Sequence, residues 1–138
     1  MPGRGKRERR MVKLLLIAVG GALGAVMRYA VSGFTYRFFE ETFPWGTLVV
    51  NLMGSFILGF LWALSERALL SPKLTPFLFI GVLGAFTTFS TYTLESFHLL
   101  REGEVRLGLL NIVGSNVLGL VLVFFGFVCA RALLDLFK

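Results

Sequence analysis

The chain has 138 residues, of which 56% are hydrophobic and only 16% are charged, and its mean hydropathy is +0.78. Soluble domains carry roughly a quarter charged residues, so this composition favours a single integral membrane domain over a soluble one. The single cysteine, Cys129, excludes an intrachain disulfide, and the single histidine, His98, leaves no convincing set for a catalytic triad, a Cys-His pair or a zinc site. These absences argue against an enzyme.

The net charge of +6 does not indicate nucleic-acid binding, because six of the fourteen basic residues lie in the first thirteen positions. A basic segment directly before a long apolar run is typical of an anchor on anionic lipid headgroups. The run that follows continues past the length of a signal peptide and has no A-x-A-like end, so we expect it to be retained. We therefore divide the chain into a basic tail (1–11) and a transmembrane domain (12–138).

Four apolar stretches are long enough to cross a hydrocarbon core of about 30 Å, which needs ~20 helical residues. In chain order they are predicted at about 12–34, 45–64, 76–100 and 107–134, separated by short segments that hold charged residues and prolines. The predicted fold is all-α, with both termini on one side of the membrane, here called the terminal side; the opposite side is called the far side.

The distribution of Lys and Arg bears on orientation. Apart from the six basic residues in the first thirteen positions, the terminal side holds four basic residues and the far side three: Arg67, Lys73, Arg131 and Lys138 against Arg37, Arg101 and Arg106. The near balance is what a protein that inserts in both orientations would show, and it allows an antiparallel homodimer. The tail opposes this, because it favours a cytoplasmic N-terminus.

Small residues recur at four-residue spacing, as at Gly20 and Gly24, and such pairs let helix backbones approach closely in lipid.

Polar residues inside the spans are few. Arg28 is fifteen positions beyond Lys13, or roughly 22 Å along the first helix, and Asn51 is about 9 Å into the second helix from the far side. One interpretation is that these two side chains donate to an anion that enters from the far side. An equally good one is that Arg28 reaches the lipid headgroups and Asn51 bonds to a neighbouring helix.

The third span contains the sequence GAFTTFSTYTLE (Gly84–Glu95), which has five hydroxyl residues within seven positions near the middle of the bilayer. So many hydroxyls beside a glycine predict a broken helix. Irregular backbone is tolerated at this depth where it lines a cavity or binds an ion, and the freed carbonyls are hard ligands for a hard cation.

Aromatic residues alternate with these hydroxyls at Phe86, Phe89 and Tyr92. The edge of an aromatic ring is electropositive, so ring edges together with Ser and Thr donors suit a small anion. Taken alone, the spacing is equally consistent with aromatic residues that only fill space against lipid.

The chain resembles the Fluc (CrcB) family of small bacterial fluoride channels over nearly its whole length after the tail. The resemblance rests on GGALGAVMRY (Gly20–Tyr29), GTLVVNLMGSFILGF (Gly46–Phe60) and GAFTTFSTYTLE (Gly84–Glu95), the last being very specific. It implies a passive fluoride channel built as an antiparallel dual-topology homodimer in the cell membrane. It also implies a central, structural sodium ion that is not transported, held by the main-chain carbonyls of Gly84 and Thr87 from each subunit.

The resemblance also implies roles for side chains along the fluoride path. It assigns the paired ring positions to Phe89 and Tyr92, the pore asparagine to Asn51 and the hydroxyl track to Ser90 and Thr91. Two supporting positions, at the vestibule or beside the path, are Arg28 and Glu95. The second ring position is usually Phe, and Tyr92 adds a phenolic donor that would bind the anion more tightly or narrow the path.

Two other classes of membrane protein are alternatives: coupled transporters and purely structural subunits. A small four-helix drug exporter needs a membrane-buried carboxylate, and the sequence offers only Glu95, near one end of the third span. A fluoride–proton antiporter is distinguished from a fluoride channel only by its slower flux. A purely structural subunit would explain the glycines and the aromatic residues but not the hydroxyl run.

Overall fold

The computed structural model describes residues 3–40 and 42–136, and within them it forms four helical spans. Helix α1 runs over Gly3–Thr35 and helix α2 over Trp45–Glu66; the third span covers Pro76–Arg101, and the last helix covers Val105–Leu136. All four are long and apolar enough to cross a membrane, and each contains the range predicted from the sequence. The chain is a multi-pass membrane protein.

The third span consists of two helices separated by a break, as the hydroxyl cluster predicted. Its first half, α3, begins with π-helical turns over Pro76–Leu83 and ends with one α-helical turn over Gly84–Phe86. Its second half, α4, runs over Phe89–Arg101, so the last span is α5. Between the halves Thr87 and Thr88 are extended, with ψ values of 156° and 115°.

From Gly3 onward the basic tail is helical and continuous with the first span, because α1 begins at Gly3. A helix of 33 residues is about 50 Å long, whereas the hydrocarbon core is about 30 Å thick. The first turns of α1 therefore project beyond the hydrocarbon on the terminal side.

Glycines set the two closest helix contacts. Where α1 crosses α3, a Cβ added to Gly20 would lie 2.6 Å from the carbonyl oxygen of Phe77, and one added to Gly24 would overlap the carbonyl of Val82. The predicted close approach through Gly20 and Gly24 is confirmed. Where α2 crosses α5, Gly59 and Gly126 lie just as closely against carbonyls of the opposite helix. These contacts pack α1 against α3 and α2 against α5.

Aromatic side chains gather where the first span ends and the second begins. The rings of Phe34 and Phe38 are 5.0 Å apart, and Trp45 stacks on Phe39 with centroids also 5.0 Å apart. Aromatic residues favour the headgroup level, so this cluster marks the far side of the membrane.

Candidate ion pathway at the break in the third span

Asn51 on α2 holds the break open by bonding both backbone groups of one residue. The Thr88 N–H donates to Oδ1 of Asn51 at 2.8 Å, and Nδ2 of Asn51 donates to the Thr88 carbonyl at 3.0 Å. Thr88 also caps α4, since its Oγ1 accepts a bond from the Thr91 N–H at 3.3 Å. The side chain of Asn51 thus satisfies backbone groups that an unbroken helix would satisfy internally, and the second amide hydrogen on Nδ2 stays available.

This exchange of partners frees two carbonyls. In a continuous helix the Thr88 N–H would donate to the carbonyl of Gly84, and the Thr91 N–H would donate to that of Thr87. Here the first N–H bonds to Asn51 and the second to the Thr88 side chain, so the carbonyls of Gly84 and Thr87 both lose their helical donors. Backbone oxygens without their usual donors are suitable ligands for a hard cation, and Gly84 is exposed on the surface of the single chain.

A cavity of about 340 Å³ lies beside the break, where α2, α3, α4 and α5 meet. The structure brings five of the residues singled out from the sequence to its wall: Asn51, Gly84, Thr87, Phe89 and Tyr92. Polar side chains from the second and fourth spans, Ser55, Ser115 and Asn116, complete the lining. Near the middle of the membrane, such a lining provides hydrogen-bond donors at a depth where lipid provides none.

The two predicted ring residues are adjacent but differently placed. The centroids of Phe89 and Tyr92 are 5.7 Å apart and their planes are tilted by 48°. Phe89 is 77% exposed on the outside of the chain, whereas Tyr92 is only 8% exposed. Phe89 therefore presents its ring outward from the cavity mouth, and Tyr92 forms part of the wall.

The Tyr92 hydroxyl is directed towards α5. It accepts a hydrogen bond from Nδ2 of Asn116 at 2.9 Å and donates to the Ile112 carbonyl at 3.5 Å. The phenolic group of Tyr92 thus joins α4 to α5.

Sequence reasoning did not single out Asn111, which forms a second polar link between the same two helices. Its side chain is 2% exposed, and its Nδ2 donates to Oγ of Ser96 at 2.9 Å. On the other side, Oγ of Ser115 donates to Oδ1 of Asn111 at 3.2 Å. An asparagine at the centre of an otherwise apolar run was the available signal.

Polar residues continue along α4 from the break towards the far side. Thr88, Thr91 and Glu95 follow one another at helical spacing, and Oγ1 of Thr47 on α2 donates to Oε1 of Glu95 at 2.8 Å. The second carboxylate oxygen, Oε2, is buried, and among the described residues it is the one buried side-chain polar atom with no hydrogen-bond partner. Sequence reasoning missed Thr47, although it lies one helical turn before Asn51 on the same face.

Four of the residues singled out from the sequence do not line the cavity. Arg28 is half-buried on α1, and in the part of the chain that the structure describes it forms no ion pair. Ser90 and Thr91 are exposed on the outer surface of α4, and Glu95 is further along the same helix. A single chain therefore brings together the break, Asn51 and the rings, and leaves the hydroxyl track on an open surface.

A match to a protein-family model identifies the family of this chain. The model of the CrcB-like proteins, described as camphor resistance (CrcB), matches residues 15–127. The chain belongs to the CrcB family. The match begins after the basic tail and includes the break, the cavity and about the first two thirds of α5.

Individual members of the family are similar to the chain over most of its length. A protein of Salinibacter ruber is 53% identical over 124 residues, which cover 90% of this chain and 93% of that protein. One of Opitutus terrae is 49% identical and covers 86% and 92% of the two chains, and one of Parabacteroides distasonis is 41% identical and covers 93% and 100%. All three CrcB relatives carry the name fluoride-specific ion channel FluC.

Proposed function

We propose that this chain is a fluoride-selective ion channel that passively exports fluoride and lowers its concentration in the cytoplasm. The observation that carries the proposal is the similarity to FluC channels, which reaches 53% identity over 90% of the chain. The cavity beside the break agrees with it, since its wall combines amide and hydroxyl donors with aromatic rings.

The proposed path uses donors in place of the water that surrounds fluoride in solution. In this path the free amide hydrogen of Asn51 and the ring edges of Phe89 and Tyr92, three residues that line the cavity, would contact the anion. Ser90 and Thr91, which are exposed on α4, would supply hydroxyls. Ring edges carry partial positive charge, so they suit a small anion without offering it a full cation that would hold it. Arg28 attracts the anion near the far side, and Glu95 supports the path through Thr47.

The working unit of the proposal is an antiparallel homodimer. The cavity mouth, the exposed Phe89 and the outward hydroxyls of α4 lie on one open face of the single chain, and a second copy would complete the wall there. Apart from the six basic residues in the first thirteen positions, the two sides hold four and three basic residues, which permits opposite orientations of the two copies.

A structural sodium ion is part of the same proposal. The carbonyls of Gly84 and Thr87 are the groups that would hold it, two from each copy, and both are freed by the break. When bound, the ion would neutralise these carbonyl dipoles and join the two broken helices at the centre of the dimer. The transported ion in this proposal is fluoride, not sodium.

The decisive experiment is ion efflux from liposomes that contain the purified full-length chain, followed with a fluoride electrode and a matched chloride electrode. We expect fast fluoride release and negligible chloride release, with empty liposomes as the control. Equal release of both ions, or none, would contradict the proposal. Release that is slow and requires a proton gradient would instead indicate a coupled fluoride–proton transporter.

A further inference from the structure

A second, larger cavity lies at the other end of the molecule. It has a volume of about 1010 Å³ and forms on the terminal side, between the first turns of α1 and the start of α3. Ligand pockets typically measure 300–1,000 Å³, so the space suffices for a sizeable ligand. It is separate from the cavity at the break, although Phe79 contributes to the walls of both.

The outer part of this terminal cavity is positively charged. Arg9 and Lys13 lie one helical turn apart on the same face of α1, and Lys73 faces them from the segment that precedes α3. Glu8 is the one acidic residue on the wall, so three cations and one carboxylate give a net charge of +2. In the ranges 3–40 and 42–136 none of these four side chains forms an ion pair; the recorded pair, Arg67 with Asp135, lies elsewhere.

The inner part of the cavity is apolar. Val12 and Leu16 continue the face of α1 that carries the cations, and Phe79 and Ile80 of α3 form the opposite wall. Leu16 lies seven residues beyond Arg9, which is about 10 Å deeper into the membrane. Along the membrane normal the wall thus changes from charged to apolar, as the bilayer itself does at the boundary between headgroups and acyl chains.

We propose that the terminal cavity binds one anionic phospholipid. Its headgroup phosphate would lie between Arg9, Lys13 and Lys73, and the upper part of an acyl chain would cover Leu16 and Phe79. Basic residues at a membrane surface favour anionic headgroups, and Arg adds bidentate hydrogen bonds to phosphate oxygens. A soluble anion would satisfy the cations but would leave the apolar wall uncovered. The inference concerns lipid recognition and does not depend on which ion the protein transports.

The test compares two triple variants that lose the same charge. Arg9→Gln/Lys13→Gln/Lys73→Gln removes the cations of the cavity, and Lys6→Gln/Arg7→Gln/Arg10→Gln removes three that lie on α1 but not on its wall. Native mass spectrometry of each full-length protein in detergent would measure binding of phosphatidylglycerol against phosphatidylcholine. Each basic residue near an anionic headgroup contributes roughly fivefold. The cavity variant should therefore lose at least about tenfold of the preference, and the control variant should keep it.

Three results would overturn the proposal. Equal losses in both variants would mean a diffuse attraction between the tail and any anionic surface. An unchanged preference in the cavity variant, with a normal size-exclusion profile, would place the lipid elsewhere. Displacement of phosphatidylglycerol by millimolar inorganic phosphate would identify a site for a soluble anion.

Discussion

The third and fourth spans both place polar residues in the middle of the membrane, but they use them differently. In α5, an unbroken helix over Val105–Leu136, the side chains of Asn111 and Asn116 bond to α4 while the backbone stays helical. In the third span the backbone itself is interrupted at Thr87 and Thr88, and an amide from α2 replaces the missing helical bonds. One span uses polar side chains as interhelical links, and the other exposes backbone groups.

The comparison teaches that the number of polar residues in a span does not by itself reveal a site. What matters is whether each polar group has a hydrogen-bond partner within the protein. The donors and acceptors of Asn111 have partners on α4 and α5, whereas the carbonyls of Gly84 and Thr87 have lost their helical donors. Backbone groups without partners are costly at this depth in a membrane, so the break is the place where we propose that a ligand binds.

Replacing Asn51 by Leu should have the largest effect, because it removes both bonds that hold the break. Each unsatisfied backbone group costs about 1–3 kcal/mol, so the variant should lose about 2–6 kcal/mol of stability. We expect fluoride efflux from liposomes to fall below detection and the melting temperature in detergent to drop.

The matched control is Asn111→Leu, which also removes a buried asparagine but leaves the backbone helical. Ser96 keeps its bond to the Tyr92 carbonyl, so this variant should lose less stability and retain efflux. If both variants behaved alike, the contrast between the two spans would fail.

Replacing Phe89 by Ile should have the next largest effect. The change keeps an apolar side chain but removes the ring edge at the cavity mouth, where Phe89 is 77% exposed. Aromatic pairs are worth about 1 kcal/mol, and we take the same size for a ring edge against the anion. Loss of the ring in both copies of the proposed homodimer should therefore reduce fluoride efflux by at least about tenfold, while the protein still elutes at its normal volume.

Phe124→Ile in α5 serves as the control for Phe89, because Phe124 is similarly exposed, at 70%, but lies away from the cavity. Its efflux should stay within about twofold of the unmodified chain, since Phe124 is not part of the cavity wall. Undiminished efflux in the Phe89 variant would remove the ring edge from the proposed path.

Sodium should stabilise the protein if the freed carbonyls bind it. A ligand that binds only the folded state adds about 1.4 kcal/mol for each tenfold rise in concentration above its Kd. We expect the melting temperature in detergent to rise with sodium chloride but not with N-methyl-D-glucamine chloride at equal ionic strength. Equal rises would indicate general salt effects and count against a site at Gly84 and Thr87.

Hydropathy and local composition were sufficient to predict the main features of the fold. Every predicted range lies within an observed membrane span, because about 20 consecutive apolar residues have few alternatives to spanning a bilayer. The break was predictable as well, since the hydroxyl run of Gly84–Glu95 is unusual for a helix in lipid. The helical state of the tail was not predicted, because charge alone does not distinguish an extended anchor from a continuation of α1.

The partners of the site residues were less predictable than their positions. Asn51 was interpreted either as a donor for an anion or as a partner of a neighbouring helix. Its bonds to Thr88 could not be predicted, because they depend on how α2 packs against the break. Thr47 and Glu95 are 48 positions apart in the chain, and sequence periodicity carries no information on such pairs. The roles of the residues along the path remain predictions, as does the homodimer.

Replacing Tyr92 by Phe should have the smallest effect, and it tests whether the hydroxyl belongs to the path or to the contact between α4 and α5. Because the hydroxyl accepts a bond from Asn116 at 2.9 Å, its loss should remove about 1 kcal/mol of stability and change fluoride efflux by less than about twofold. A double-mutant cycle with Asn116→Leu, measured by thermal unfolding, should show coupling between the two side chains. If efflux instead changed severalfold while stability stayed constant, the hydroxyl would act on the anion itself. Tyr92 would then be a residue of the ion path at the break, and not one of the side chains that only bond α4 to α5.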